Sequence, residues 1–156
     1  MRQVRRGLLT PLVLGDTMVF YREGTWLPEA GCDESNPGTY RRLELSTGQE
    51  RVWRRQEGDC STGEFLAASP VRRTVYFREG HPFLGYRLYE YDLDRDATRE
   101  LKLEGGVSEV LDLSADGRLL LALTYRGHVL YDVVTGDTAE LEDMVGVTRA
   151  RLLAAP

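Results

Sequence analysis

The stretch from Tyr91 to Glu100 places carboxylates at Asp92, Asp94, Asp96 and Glu100, which are positions 1, 3, 5 and 9 of a calcium loop. Hard oxygen ligands at that spacing suit a divalent cation. Such a loop also wants glycine at its sixth position and glutamate at its twelfth, and those places hold Ala97 and Leu103. A solvated acidic hairpin is therefore the first reading of these four residues and a calcium site the second. His81 and His128 are the only histidines. They are too few for a zinc ligand set, and neither has the partners of a catalytic triad nearby in the sequence. Cys32 and Cys60 lack metal-ligand spacing and are too few for a disulfide scaffold. No metal and no cofactor is expected.

The elements that would position these groups follow from composition and repetition. The chain has 156 residues, 42% hydrophobic and 29% charged, which fits one globular domain. A formal net charge of −5 argues against a nucleic-acid binder. No apolar run approaches the roughly 18 residues of a membrane helix. The short run after Arg5 and Arg6 is broken by Pro11 and lacks a cleavage site, so membrane insertion and a signal peptide are not expected.

A unit of about four short strands recurs. Residues 106–143 run from an apolar stretch into Ser114-Ala115-Asp116-Gly117, then a second stretch, Arg126-Gly127, an alternating run, Thr135-Gly136 and a last short run. Each joint carries turn chemistry. Residues 62–103 repeat the pattern with RTVYFREG, and residues 8–55 with TMVFYREG, taking Thr10-Pro11 as the first turn. Arg22 and Arg78 correspond at 78 − 22 = 56, and Arg78 and Arg126 at 126 − 78 = 48. Helical periodicity is absent.

The segment SADGRLLLALTYRGHVLYDVVTGDTAEL resembles a blade of the TolB-like and WD-repeat β-propellers, and the likeness extends over nearly the whole chain. It implies an all-β fold with three four-stranded antiparallel blades, at about 3–57, 61–104 and 106–144, plus a spare C-terminal strand at 147–154. Propellers of this kind close with roughly 4–8 blades, so three blades read as half of a six-bladed ring. Apolar residues on both faces of each unit point the same way, because a lone sheet cannot cover them. A second copy of the chain, a different protein partner, or the remainder of a longer product of which these residues are a piece, would close the ring.

The functional expectation is a non-catalytic interaction or scaffold subunit that recognises its partner through rim loops at 21–38, 78–86 and 125–127. The residues expected to carry contact are Arg22, Trp26, Arg78, His81, Phe83 and Arg126. Three arginines on one rim would suit an anion, with pairing to Glu23 and Glu79 as the plainer reading. A glycan or anion binder using Trp26, Trp53 or Tyr125 is an alternative. Another is a propeller hydrolase or lyase drawing on Glu64, Glu109, Asp112 and Arg151. Cys32 and Cys60 fall in connections on the same side of an up-and-down blade and could form a disulfide. The expected compartment is the cytoplasm, or an extracytoplasmic one if that bridge forms.

Overall fold

The computed structural model describes residues 11–23, 38–56, 62–81, 85–142 and 152. Trp26, Cys32, Cys60, Phe83 and Arg151 lie outside them, as does nearly all of the expected spare strand. The described residues form twelve strands and no helix. The first sheet joins β1 (Leu12–Leu14), β2 (Met18–Glu23), β3 (Thr39–Glu44) and β4 (Glu50–Arg55). The second joins β5 (Thr62–Ser69), β6 (Thr74–His81), β7 (Gly85–Asp92) and β8 (Ala97–Leu101). The third joins β9 (Glu109–Leu113), β10 (Leu119–Thr124), β11 (Gly127–Asp132) and β12 (Thr138–Leu141). Each sheet is an antiparallel meander in chain order. The first strands β1, β5 and β9 lie beside one another, so the sheets stand as neighbouring blades around a common inner edge.

Alternation along the strands explains the stacking. On β6, Val75 and Phe77 point into a core shared with Phe20, Tyr40 and Leu14 of the first blade. Tyr76, between them, points the other way, into a core with Leu120, Ala122 and Tyr131 of the third blade. Successive residues of a strand face opposite sides, so the middle blade is apolar on both faces. All three of these β6 side chains are fully buried.

The turns are built by short polar side chains. Asp92 Oδ1 accepts hydrogen bonds from the backbone N–H of Asp94 at 2.9 Å and of Arg95 at 3.0 Å, and Asp132 Oδ1 does the same for Val134 and Thr135. These are Asx turns, which give the chain its reversal without a longer loop. In the three β3–β4, β7–β8 and β11–β12 hairpins, the fifth residue from the turn's start is Gly48, Asp96 and Gly136, with φ of 68°, 50° and 82°. Two of the three are glycine, the residue that tolerates this left-handed geometry.

Two expectations of register are corrected. The first turn of the first blade is Gly15-Asp16-Thr17, not Thr10-Pro11, because Leu12–Leu14 pairs with β2 as a strand in its own right. Arg126 is not the counterpart of Arg78. Thr74 opens β6 opposite Asp92, and Leu119 opens β10 opposite Asp132, an offset of 119 − 74 = 45. The third-blade counterpart of Arg78 is therefore Leu123, and Arg126 sits in the β10–β11 turn. The tighter hairpin there moves the visible Arg-Gly pair out of alignment.

Candidate functional site

Arg22, Arg78 and Arg126 do not converge on one point. Arg22 is buried, and its Nε and Nη2 donate to Gln56 Oε1 at 3.1 and 2.6 Å. Its guanidinium lies against Gly38, where any side chain would collide with it. Arg78 donates to Glu64 Oε2 at 2.7 Å and to the Ser108 carbonyl, and stacks 4.4 Å from the Tyr86 ring centre. Arg126 pairs with Glu104 in an exposed contact. Glu23 and Glu79, the neighbours expected to pair with Arg22 and Arg78, instead pair with Arg41 and Arg54. His81 ends β6 opposite Gly85, and His128 is buried near the start of β11.

Most of the polar chemistry is gathered in the seams between blades. In the first seam, Arg54 of β4 meets Glu79 of β6 through two parallel hydrogen bonds of 2.8 and 2.7 Å. The Arg54 guanidinium also lies 5.0 Å from the centre of the Tyr89 ring and 5.6 Å from that of Phe77. Tyr40 is fully buried beside this pair, and Gly63 makes room for its hydroxyl. Burial, followed by the Glu79 charge, pushes the Tyr40 phenol far above its ordinary range. Of the charged groups here, Arg54 and Glu79 pair with each other, while Arg22 donates to the neutral Gln56 and Arg42 to the Tyr91 hydroxyl at 2.9 Å.

The acidic hairpin is distributed, not gathered. Asp92 holds the turn, Asp94 pairs with Arg73 at 2.7 Å, Asp96 with Arg51 at 2.5 Å, and Glu100 approaches Arg87 at 3.7 Å. Among the described residues no group of three His, Cys, Asp or Glu side chains could hold a metal ion. Asp96 Oδ1 also accepts from the Tyr91 hydroxyl at 2.5 Å, and that bond, with Arg51, holds its carboxyl below the usual range.

The remaining candidates are scattered. Glu64 is tied to Arg78, and Glu109 lies at the far end of the β9–β10 ladder, opposite Leu123. Asp112 accepts the backbone N–H of Leu152. Trp53 is packed inside the first seam, stacked 4.1 Å from Tyr91, and is not an open stacking plane. Tyr125 is 61% exposed.

The fold is that of a partial β-propeller. TolB from Acinetobacter baumannii is similar over 88% of this chain and 32% of its own, with 19% identity and a TM-score of 0.62. The β-propeller domain of the Trilobed protease from Pyrococcus furiosus is similar over 85% of this chain and 41% of its own, with 16% identity and a TM-score of 0.61. Pyrococcus horikoshii acylaminoacyl peptidase is similar over 85% of this chain and 24% of its own, with 13% identity and a TM-score of 0.60. The chain thus spans well under half the length of each. No sequence family and no curated protein matches it. No helix among the described residues is long and apolar enough to cross a membrane.

Proposed function

We propose that the chain is a non-catalytic binding and scaffolding subunit that closes a propeller ring with a second copy of itself. The β2–β3, β6–β7 and β10–β11 connections, all on one rim, would then be offered to a protein partner. The observation that supports this reading is the contrast between the middle blade and its neighbours. The middle blade is covered on both faces. Among the described residues, the first and third blades carry the same alternation but pack against a sheet on one face only. On the outward face of the first blade, Val13 pairs with Val19 and Val19 with Leu43, and Val13 is 57% exposed. On the outward face of the third, Leu121 pairs with Leu130 and Leu123 with His128, and there Leu121 and His128 are already buried.

Joining one copy's third blade to the other's first blade would cover the exposed Val13 and its first-blade neighbours, at roughly 25 cal/mol per Å² of apolar surface. The two junctions of such a pair are related by a two-fold axis, so the ring closes with no blade face left uncovered. Leu152, whose N–H reaches Asp112 on the outward face of β9, lies where a fourth inner strand would begin. Sedimentation equilibrium tests the reading. The expected mass is about twice 17.7 kDa. A monomer at micromolar concentration would overturn it.

A further inference from the structure

The two seams differ at one turn position, and a cavity opens in the seam that lacks a carboxylate. Arg51 of β4 lies opposite Arg42, as Arg99 of β8 lies opposite Glu90, so Arg51 and Arg99 are counterparts. In the first seam Arg51 reaches across to Asp96 in the turn of the next blade. The counterpart of Asp96 one blade further on is Gly136, which has no side chain to offer. Arg99 instead donates to Glu90, through Nε, and to the Val133 carbonyl at 2.5 Å.

Beside Arg99 lies a cavity of about 410 Å³, lined by Arg72, Arg95 and Arg99, by Glu90 and Asp92, and by the side chains of Ala97, Thr98 and Val134. Three guanidiniums against two carboxylates leave a formal +1, since 3 − 2 = 1. Both carboxylates are already saturated. Asp92 takes two backbone N–H groups and Arg95, while Glu90 takes Arg99, Arg72 and the Tyr76 hydroxyl. The arginines are not, because each carries five N–H donors. Arg95 and Arg99 have side chains 83% and 52% exposed.

We propose that this cavity binds a small monocarboxylate with a short apolar chain. Its carboxylate would face Arg95 and Arg99, in the role that Asp96 plays for Arg51 in the first seam. Its carbon chain would lie on Ala97, Thr98 and Val134. A planar guanidinium accepts a carboxylate through two hydrogen bonds, which gives such a site its geometry. The site lies on the rim opposite the connections proposed for a protein partner, and it does not depend on ring closure.

Titration of the intact protein with sodium butyrate, followed by amide NMR shifts, tests the assignment, with sodium chloride at equal ionic strength as control. Butyrate is expected to shift residues 95–99 and 134 saturably. Arg95→Ala, on an exposed turn and away from Glu90, should weaken binding at least tenfold, as should Arg99→Ala. Gly136→Asp should compete in the same way by supplying the carboxylate within the chain. A Cβ there would meet only the Tyr131 hydroxyl, at an ordinary contact of 3.7 Å, and the φ of 82° is left-handed like that of Asp96. Equal shifts with chloride, or butyrate binding indifferent to all three substitutions, would overturn the proposal. Saturable binding of inorganic phosphate without butyrate would overturn the carboxylate assignment.

Discussion

Arg54 of the first blade and Glu79 of the second face each other fork to fork, with side chains 27% and 10% exposed. The pair crosses the seam between blades, so it couples two sheets that share no hydrogen-bonded ladder. Removing one partner leaves the other charge partly buried and uncompensated, and that is the costly change. Glu79→Gln should destabilise by about 3 kcal/mol. Replacing both residues with methionine should recover most of the loss, because apolar isosteres avoid the desolvation of two charges. Urea unfolding of the three variants measures this, and a neutral Glu79→Gln would show that the pair contributes nothing net.

Gly63 lets β5 approach Tyr40. A Cβ there would sit 1.9 Å from the Tyr40 hydroxyl and 3.3 Å from Arg22 Nε. Gly63→Ala should cost about 1–3 kcal/mol by forcing Tyr40 from its place. Gly48→Ala meets nothing within 4 Å but carries a φ of 68°, so only its backbone opposes the change, at about 1–2 kcal/mol. Thermal melts of Gly63→Ala, Tyr40→Phe and the double variant separate the two causes. Tyr40→Phe removes the clashing oxygen and should rescue Gly63→Ala but not Gly48→Ala.

Acid should weaken the fold through its turn aspartates. The backbone N–H of Arg95 is the largest influence holding Asp92 below its usual range, and the Tyr91 hydroxyl is the largest for Asp96. A carboxyl depressed in the folded state stabilises it above the unfolded value, about 3.9, and loses that contribution as pH falls through the folded value. Stability should therefore be flat near neutrality and fall below about pH 4. Asp92→Asn with Asp96→Asn should lower stability at pH 7 and flatten the acid limb. An unchanged slope in denaturant titrations between pH 2 and 5 would count against this account.

Alkaline titration should divide the tyrosines. Burial first, then the hydrogen bond to Glu50, pushes the Tyr21 phenol up to about 12. Burial is also the leading cause of the raised values of Tyr40, Tyr76 and Tyr91. A phenol raised in the folded state stabilises it fully below the unfolded value, about 10, and the contribution is lost as pH rises toward the folded value. Phenolate absorbance should show a late-ionising class, and Tyr21→Phe should remove one member without removing the others.

A charge on the outward face of the first blade should block pairing without unfolding the blade. Val13 is more than half exposed, so Val13→Asp has little folded-state contact to lose. The melting profile at low concentration should change little while sedimentation shifts to the single-chain mass. Retention of a doubled mass would place the contact elsewhere.

Much of the architecture was legible in the sequence because it rests on local rules. Period-two alternation around Val75, Tyr76 and Phe77 and the turn chemistry of Asp92, Ser114 and Asp132 specify strands and reversals within a few residues. Their recurrence made the blades visible. The same repetition held a signal that went unread: Asp96 stands where the other two hairpins have Gly48 and Gly136. Aspartate tolerates left-handed geometry better than most residues, and here its side chain also reaches Arg51 and Tyr91.

The tertiary structure decided which charges meet. Arg54 and Glu79 are 25 residues apart in sequence, and Arg51 and Asp96 are 45 apart. Neighbours in sequence suggested Glu23 for Arg22 and Glu79 for Arg78, yet adjacent residues on a strand point to opposite faces, so those pairs cannot form readily. The partners were chosen by how the blades stack, which no spacing along the chain encodes. The shift of Arg126 out of register has a similar origin. Shortening one hairpin leaves the local pattern intact and changes which residues oppose each other, so composition and motif read the same while the geometry does not.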